Sequence, residues 1–313
     1  MRNNKSKIPT FKVNNFQRSF FVGRDEKGDT YPLPATQFFE IERIDNLFNK
    51  CEECREPHRI DFYFLLLLTG GEGVHTFDDQ EHYIKENTLC FVNPDMVTSW
   101  NSQTDYQQGY SCSFSEEFIH LGRENKRFLH ELPFFKLGGS AVLPLQPEQA
   151  QYYATLLEQM CLEKQRNTIH SPDILRTLLQ LFLQKVQSEF GPKDCQLKTT
   201  NNSGLRLTKA FMDLYHQDFD LLRKGKINQP KQISAYAEVL GITQNHMNDT
   251  VKEVTGKSAG QHIQDRLTKE ATMLLMQSHL SVSEIAFKLG FNDPSYFSRF
   301  YKKNTGVSPS ALR

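Results

Sequence analysis

Apolar positions change their period twice along this chain. Between residues 35 and 120 they come in short runs and alternations bounded by turn residues, the pattern of β-structure. Phe62–Thr69 reads as a buried strand and Gly70-Gly71-Glu72-Gly73 as a turn. Val74–Phe77 and Glu81–Ile84 then flank Asp78-Asp79-Gln80 as a hairpin. Thr88–Val92 is a further strand, stopped by Asn93-Pro94-Asp95. Short strands at such spacing predict a sandwich or barrel. Phe39–Asn49 fits a short helix or an edge strand.

From Pro147 to Phe190 the period becomes helical. Tyr152, Tyr153, Leu156, Leu157 and Met160 recur every three to four residues, as do Ile174, Leu178, Leu181, Phe182 and Val186. Ser171-Pro172 opens the second helix as N-cap and first position, and Gly191-Pro192 closes it. The polar stretch that follows to Gly204 reads as a linker.

Beyond it two segments resemble each other at a period of about 50 residues. Ala237-x-x-Leu240-Gly241-Ile242 matches Ala286-x-x-Leu289-Gly290-Phe291. After a one-residue offset at Asn292, Thr243 matches Asp293, Met247 matches Phe297, and Thr255-Gly256 matches Thr305-Gly306. Each segment predicts a helix, a tight turn at glycine and a second, capped helix. In the second copy Ser281-x-x-Glu284 forms a capping box, and Gly290 sits where positive φ is wanted. Asp293 caps the next helix, with Pro294 at its first position. This is the recipe of a helix-turn-helix unit. A helix starting at the Ser258-x-x-Gln261 box and running to Ser278 spans ~31 Å at ~1.5 Å per residue, close to the ~34 Å recurrence of a DNA groove.

Total charge adds nothing, since 37 basic and 37 acidic residues cancel. The distribution does. Leu205–Arg313 holds 15 Lys/Arg against 10 Asp/Glu, so this third carries +5 and the remainder −5. The longest apolar run, Phe62 to Leu68, is far short of the ~20 residues of a spanning helix, and no signal peptide is apparent. Six cysteines in 313 residues do not suggest a disulfide framework. Cys51-Glu-Glu-Cys54 has the spacing of a redox or zinc pair but lacks further ligands, and reads as ordinary reduced thiols. The protein reads as cytoplasmic.

The chain resembles the AraC/XylS family of bacterial transcription regulators. The resemblance is strong in Leu289-Gly-Phe, Tyr296-Phe-Ser-Arg-Phe-Tyr-Lys-Lys303 and Thr305-Gly-Val-Ser-Pro309. It is weaker in Pro57-His-Arg-Ile-Asp-Phe-Tyr63, Gly71-Glu-Gly-Val-His75 and Asn93-Pro94 through Ser99-Trp100, which look like the cupin-type sensor barrel of many members. The resemblance implies an α+β multidomain chain. A cupin-like sensor domain occupies 1–146 and a helical dimerisation segment 147–190. A linker spans 191–204, and an all-α domain with two helix-turn-helix units fills 205–313.

In the second recognition helix Phe297, Phe300 and Tyr301 are expected to point inward, with Ser295 and Arg299 on the opposite stripe. Arg299 is the best candidate for a base contact, because its fork bonds guanine O6 and N7 together. Tyr296, Ser298, Lys302 and Lys303 are candidates for phosphate contacts. In the first unit Gln244, Asn245 and Asn248 are candidates for bases and Lys252 for phosphate. Asp249 stands where a basic residue is expected.

In the barrel, His58 lacks a second histidine at Ile60, and Thr98 occupies the place of a later one. No metal and no cofactor are expected. His58, Tyr63, His75 and Trp100 are candidates to line an effector pocket. The expected partners are double-stranded operator DNA, a small-molecule effector, a second copy of the chain and RNA polymerase, without a membrane. An enzyme reading, a cupin oxygenase or isomerase, would need ligands that the pattern lacks. A regulator whose barrel serves assembly alone is a third reading.

Overall fold

The computed structural model describes residues 8–11, 38–45, 54–77, 80–94, 96–121, 127–137, 141–191 and 202–312. The chain divides into two compact units, Met1–Thr199 and Thr200–Arg313. Most of the expected linker lies outside the described residues, as do Asp78, Asp79, Asp95, Cys51 and Cys195.

In the first unit the described strands form two five-stranded sheets. One has the order β1 (Thr10–Phe11), β3 (His58–Ile60), β8 (Val97–Ser102), β5 (Gly73–Phe77), β6 (Gln80–Ile84). The other has the order β10 (Val142–Pro144), β7 (Thr88–Val92), β4 (Tyr63–Gly70), β9 (Gln108–Phe114), β2 (Phe39–Asp45). Phe39–Asp45 is therefore an edge strand, paired with β9 from Phe39↔Phe114 to Asp45↔Gln108.

The unbroken apolar run at Phe62–Leu68 has a simple cause: β4 is buried on both faces. Tyr63, Leu65 and Leu67 join Leu89, Phe91, Cys112 and Phe114 in one core. That core is closed by α3 (Pro147–Arg166) and α4 (Ser171–Glu189), which follow the short α1 (Glu116–His120) and α2 (Phe128–Glu131). The alternate residues Phe64, Leu66, Leu68, Cys90 and Val92 are buried on the opposite face. The first sheet also has one buried face, carrying His58, His75, Phe77, Thr98 and Trp100, while Val74, Thr76 and Ser99 are half-exposed. Two such faces within one unit are satisfied by covering each other.

Three sequence expectations change here. On α4 the buried residues are Leu175, Leu179, Phe182, Leu183 and Val186, whereas Ile174 and Leu181 are 41% and 40% exposed. The helix is apolar around more than one stripe, and the core takes the stripe one residue further on. Ser171 is not a side-chain cap: its Oγ donates to Glu163 Oε1 at 2.7 Å and accepts from the Thr168 amide at 2.9 Å. Cys54 is disulfide-bonded rather than reduced. Cys90, Cys112 and Cys161 are free thiols buried in the first unit.

The second unit is all helical: α5 (Ser203–Arg223), α6 (Ile233–Val239), α7 (Gln244–Thr255), α8 (Ala259–Gln277), α9 (Val282–Lys288) and α10 (Pro294–Thr305). A separate core holds Phe211, Phe219, Tyr236, Met247, Val251, Ile285, Ala286, Phe297 and Tyr301. Phe300 is only half-buried and packs on Phe291 at 5.1 Å between ring centroids.

Trp100 is the single tryptophan, so its fluorescence reports the first unit alone. Phe182 and Phe297 are both fully buried. Phe182→Ala is expected to cost ~3–5 kcal/mol and to lower the denaturation midpoint read by Trp100. Phe297→Ala should leave that midpoint in place and instead lower the helical transition seen by circular dichroism.

Candidate nucleic-acid interface

The two helix-turn-helix units have the same backbone closure. In the first, the Gly241 amide donates to Glu238 O at 3.0 Å and the Ile242 amide to Ala237 O at 3.0 Å. In the second, Gly290 donates to Phe287 O at 3.1 Å and Phe291 to Ala286 O at 2.9 Å. Both turn glycines have positive φ, 67° and 86°. At Gly290 a Cβ would also meet Asn228 O at 2.7 Å, so the position excludes side chains twice over.

Capping fixes where each recognition helix starts. Thr243 accepts from the His246 amide at 3.2 Å, and Asp293 accepts from Ser295 at 2.9 Å and Tyr296 at 3.1 Å. Those amide bonds hold the Asp293 carboxyl below its usual range, and the nearby Arg299 adds to the effect. The Ser281–Glu284 box is closed both ways, at 3.2 and 2.6 Å. Each helix ends on a left-handed glycine, Gly256 or Gly306.

The outward faces differ in chemistry. α10 exposes Ser295, Tyr296, Arg299, Lys302 and Lys303, whereas Ser298 is half-buried with its hydroxyl donating to Pro294 O at 2.9 Å. α7 exposes Gln244, Asn245, Asp249 and Lys252 together with His246 and Glu253, which the sequence pattern did not single out. Asn248 is half-buried, and its sheltered Oδ1 finds no hydrogen-bond partner among the described residues. The face of α10 is thus cationic, while two carboxylates oppose Lys252 on α7.

Both recognition helices are tied to α8. Tyr301 and Thr272 share a hydroxyl–hydroxyl bond of 2.8 Å, and the Thr255 hydroxyl lies 2.7 Å from His262 Nε2. All four groups are buried.

In the first unit the structure brings together three of the four expected pocket residues. His58, His75 and Trp100 share the buried face of β3, β8 and β5, in the registers His58↔Thr98 and His75↔Trp100. His75 Nε2 is 2.7 Å from Thr98 Oγ1, and its ring lies 4.0 Å from Phe77 and edge-on to Trp100 at 5.5 Å. His75 Nδ1 is buried without a partner among the described residues. Tyr63 is elsewhere, against Phe114 and Phe135 in the helix-covered core. Strand alternation separates it, because the side chain of Tyr63 leaves β4 on the face opposite Phe64. Thr98 and Phe77 were missed, although hairpin alternation places Phe77 beside His75. Burial, reinforced by the charges of His58 and His82, pushes His75 down to about 3.

Comparison with known proteins yields two family profiles. The AraC-like ligand binding domain matches residues 52–183 and a helix-turn-helix domain matches 236–313. The transcriptional activator RhaS of Escherichia coli O139:H28 is 25% identical over 263 residues, 82% of this chain and 86% of the relative. YfiF of Bacillus subtilis, a helix-turn-helix-type transcriptional regulator, is 23% identical over 266 residues, 82% of this chain and 78% of its own. A crystal structure of apo ToxT from Vibrio cholerae aligns over 89% of this chain and 97% of its own, at 13% identity and a TM-score of 0.36.

The buried imidazole of His75 sets a pH dependence. Its folded pKa, about 3, lies below the ordinary 6.5, so the unfolded chain takes up the proton first. Its contribution to stability is complete above 6.5 and is lost as pH falls from 6.5 towards 3. Acidification through that window should lower the denaturation midpoint read by Trp100, and His75→Gln should flatten the profile. A profile unaltered by the substitution would assign the acid sensitivity to other groups.

Proposed function

Since the chain belongs to the AraC/XylS family of transcription regulators, we propose that α10 reads operator bases while α7 makes a weaker, chemically different contact. The protein is a sequence-specific DNA-binding regulator with a ligand-binding domain. The observation that carries the division of labour is the pairing of two identically closed helix-turn-helix units with opposite surface charge on one helix. The 19 residues of α8 make a rod of ~28 Å. That length suits recognition helices in successive major-groove segments, ~34 Å apart, rather than two turns away.

Arg299 is the principal base reader, with Ser295 beside it; Tyr296, Lys302 and Lys303 bind phosphates. On α7, Gln244 and Asn245 face bases with Asn248 beside them, and Lys252 meets a phosphate. The small-molecule effector binds at the buried face carrying His58, His75, Thr98 and Trp100, where a partnerless ring nitrogen favours a ligand able to hydrogen-bond. The protein acts in the cytoplasm, where its DNA is, and meets RNA polymerase at the promoter. Regulators of this family are not enzymes.

A second copy covers the surplus apolar stripe of the first unit. Ile174, Leu178, Leu181 and Lys185 follow one another along α4, with Lys185 Nζ 6.0 Å from the ring centroid of the exposed Tyr152 on α3. Such a stripe on paired helices suits a twofold, self-complementary contact.

Selection of random DNA with the purified full-length protein should enrich a bipartite site whose halves lie one helical turn apart; enrichment of nothing would end the reading. On that site Arg299→Ala should cost ~1–3 kcal/mol and relax preference at one base, while Lys303→Ala weakens all sequences alike. Equal losses on selected and random DNA for Arg299→Ala would move that residue to the backbone.

The dimer is tested separately. Leu181→Glu, at an exposed position, should halve the mass measured by sedimentation without lowering the melting temperature. An unchanged mass would remove this stripe from the interface.

A further inference from the structure

A groove of about 330 Å³ opens in the second unit where α6, α7 and α8 meet. Its polar lining is Lys231, Gln232, Ser234, Gln244 and Gln264, over a floor of Ile233, Ile263 and Gly260. We propose that this groove seats a sugar-phosphate of the operator strand beside the bases facing α7, an inference that rests on the DNA-binding reading above.

The lining chemistry selects an anion. It offers one ammonium, three carboxamides and a hydroxyl, all donors, and no carboxylate. A phosphodiester only accepts, so every one of these groups complements it. A cationic ligand would find no carboxylate among the lining groups.

Lys231 is held in place for this task. The buried Asp218 accepts from the Lys231 amide at 2.9 Å and from the Tyr236 hydroxyl at 2.8 Å, and lies 3.1 Å from Lys231 Nζ. An ammonium has three protons, and Asp218 takes one. Gly260 keeps the floor low: a Cβ there would meet Ile233 Cδ1 at 3.0 Å.

Continuity identifies the occupant. Gln244 is both a wall of the groove and the first residue of α7, so a strand passing along α7 passes the groove. In the second helix-turn-helix unit the positions matching Lys231 and Gln244 are Leu280 and Pro294, which offer no side-chain donor. By the repeat, Ala235 corresponds to Glu284, which places a carboxylate at the start of α9. The seat therefore belongs to the unit whose recognition helix carries Asp249 and Glu253. It supplies the backbone anchoring that α10 obtains from Lys302 and Lys303.

The test uses the full chain and a short duplex recovered by the selection, read by a salt titration and by single methylphosphonate replacements along both strands. Ser234 is exposed, and an acid in the first turn of a helix is tolerated, so Ser234→Asp keeps the fold. It should weaken selected and random DNA alike, and reduce the slope of log affinity against log salt by about 0.9, the loss of one phosphate contact. Neutralising one phosphate should weaken the wild type but not Ser234→Asp or Gln264→Ala. If both variants keep the wild-type slope and the full wild-type response to every methylphosphonate, the groove holds no phosphate. If the wild type itself binds without salt dependence, the DNA-binding reading fails, and this inference with it.

Discussion

The second unit depends on α8 being a single stiff element buried between two helix pairs. Ala259, Ile263, Ala271 and Leu275 place it inside the shared core, and two buried polar bonds fix the recognition helices to it. Buried hydroxyl and imidazole groups are costly to leave unmade, so Thr255–His262 and Tyr301–Thr272 hold register as well as packing does. On its other side α8 is tied to α5. The buried Glu270 accepts from Arg266 at 3.0 Å and from Arg223 at 2.5 Å. Removing one member of so buried a set leaves an uncompensated charge, so the set keeps α8 in one position on α5. Specific recognition by two helices requires that neither slide against the other.

Given that frame, the two units do not have to bind alike. Their turns and glycines repeat bond for bond, while their caps and outward faces diverge. α10 carries three cations and α7 carries two carboxylates against one lysine. On the proposed reading, a mismatch of this kind shifts sequence recognition towards α10 and leaves α7 in need of backbone contacts from outside its own helix. The donor-lined groove beside Gln244, with residues from three helices, is the proposed source of those contacts.

The first unit solves a different problem. β4 is buried on both faces, so its sheet must be covered twice, once by α3 and α4 and once by the first sheet. The surface covered by sheet is where His58, His75 and Trp100 gather. The helical cover has an apolar stripe left over at Ile174 and Leu181. The proposed effector face and the proposed self-contact lie on opposite sides of the same sheet, which is one physical route by which an effector can influence assembly.

Local chemistry determined much of this protein directly from sequence. The capping box at Ser281, the cap and proline at Asp293-Pro294 and the glycines at 241, 290, 256 and 306 each act within a few residues, and all appear where expected. So does the repeat of the two helix-turn-helix units, because a repeated local code folds to a repeated local shape. Tertiary structure decided whatever depends on which of two faces is covered. Tyr63 parted from His75 because period-two alternation says that faces differ but not which one a helix will cover. Ile174 and Leu181 were left outside because α4 is apolar on two adjoining stripes, and only its neighbours choose between them. The groove at Lys231, Ser234 and Gln264 belongs to the same class. Its parts meet only after separate helices have packed together, and no local pattern contains that meeting.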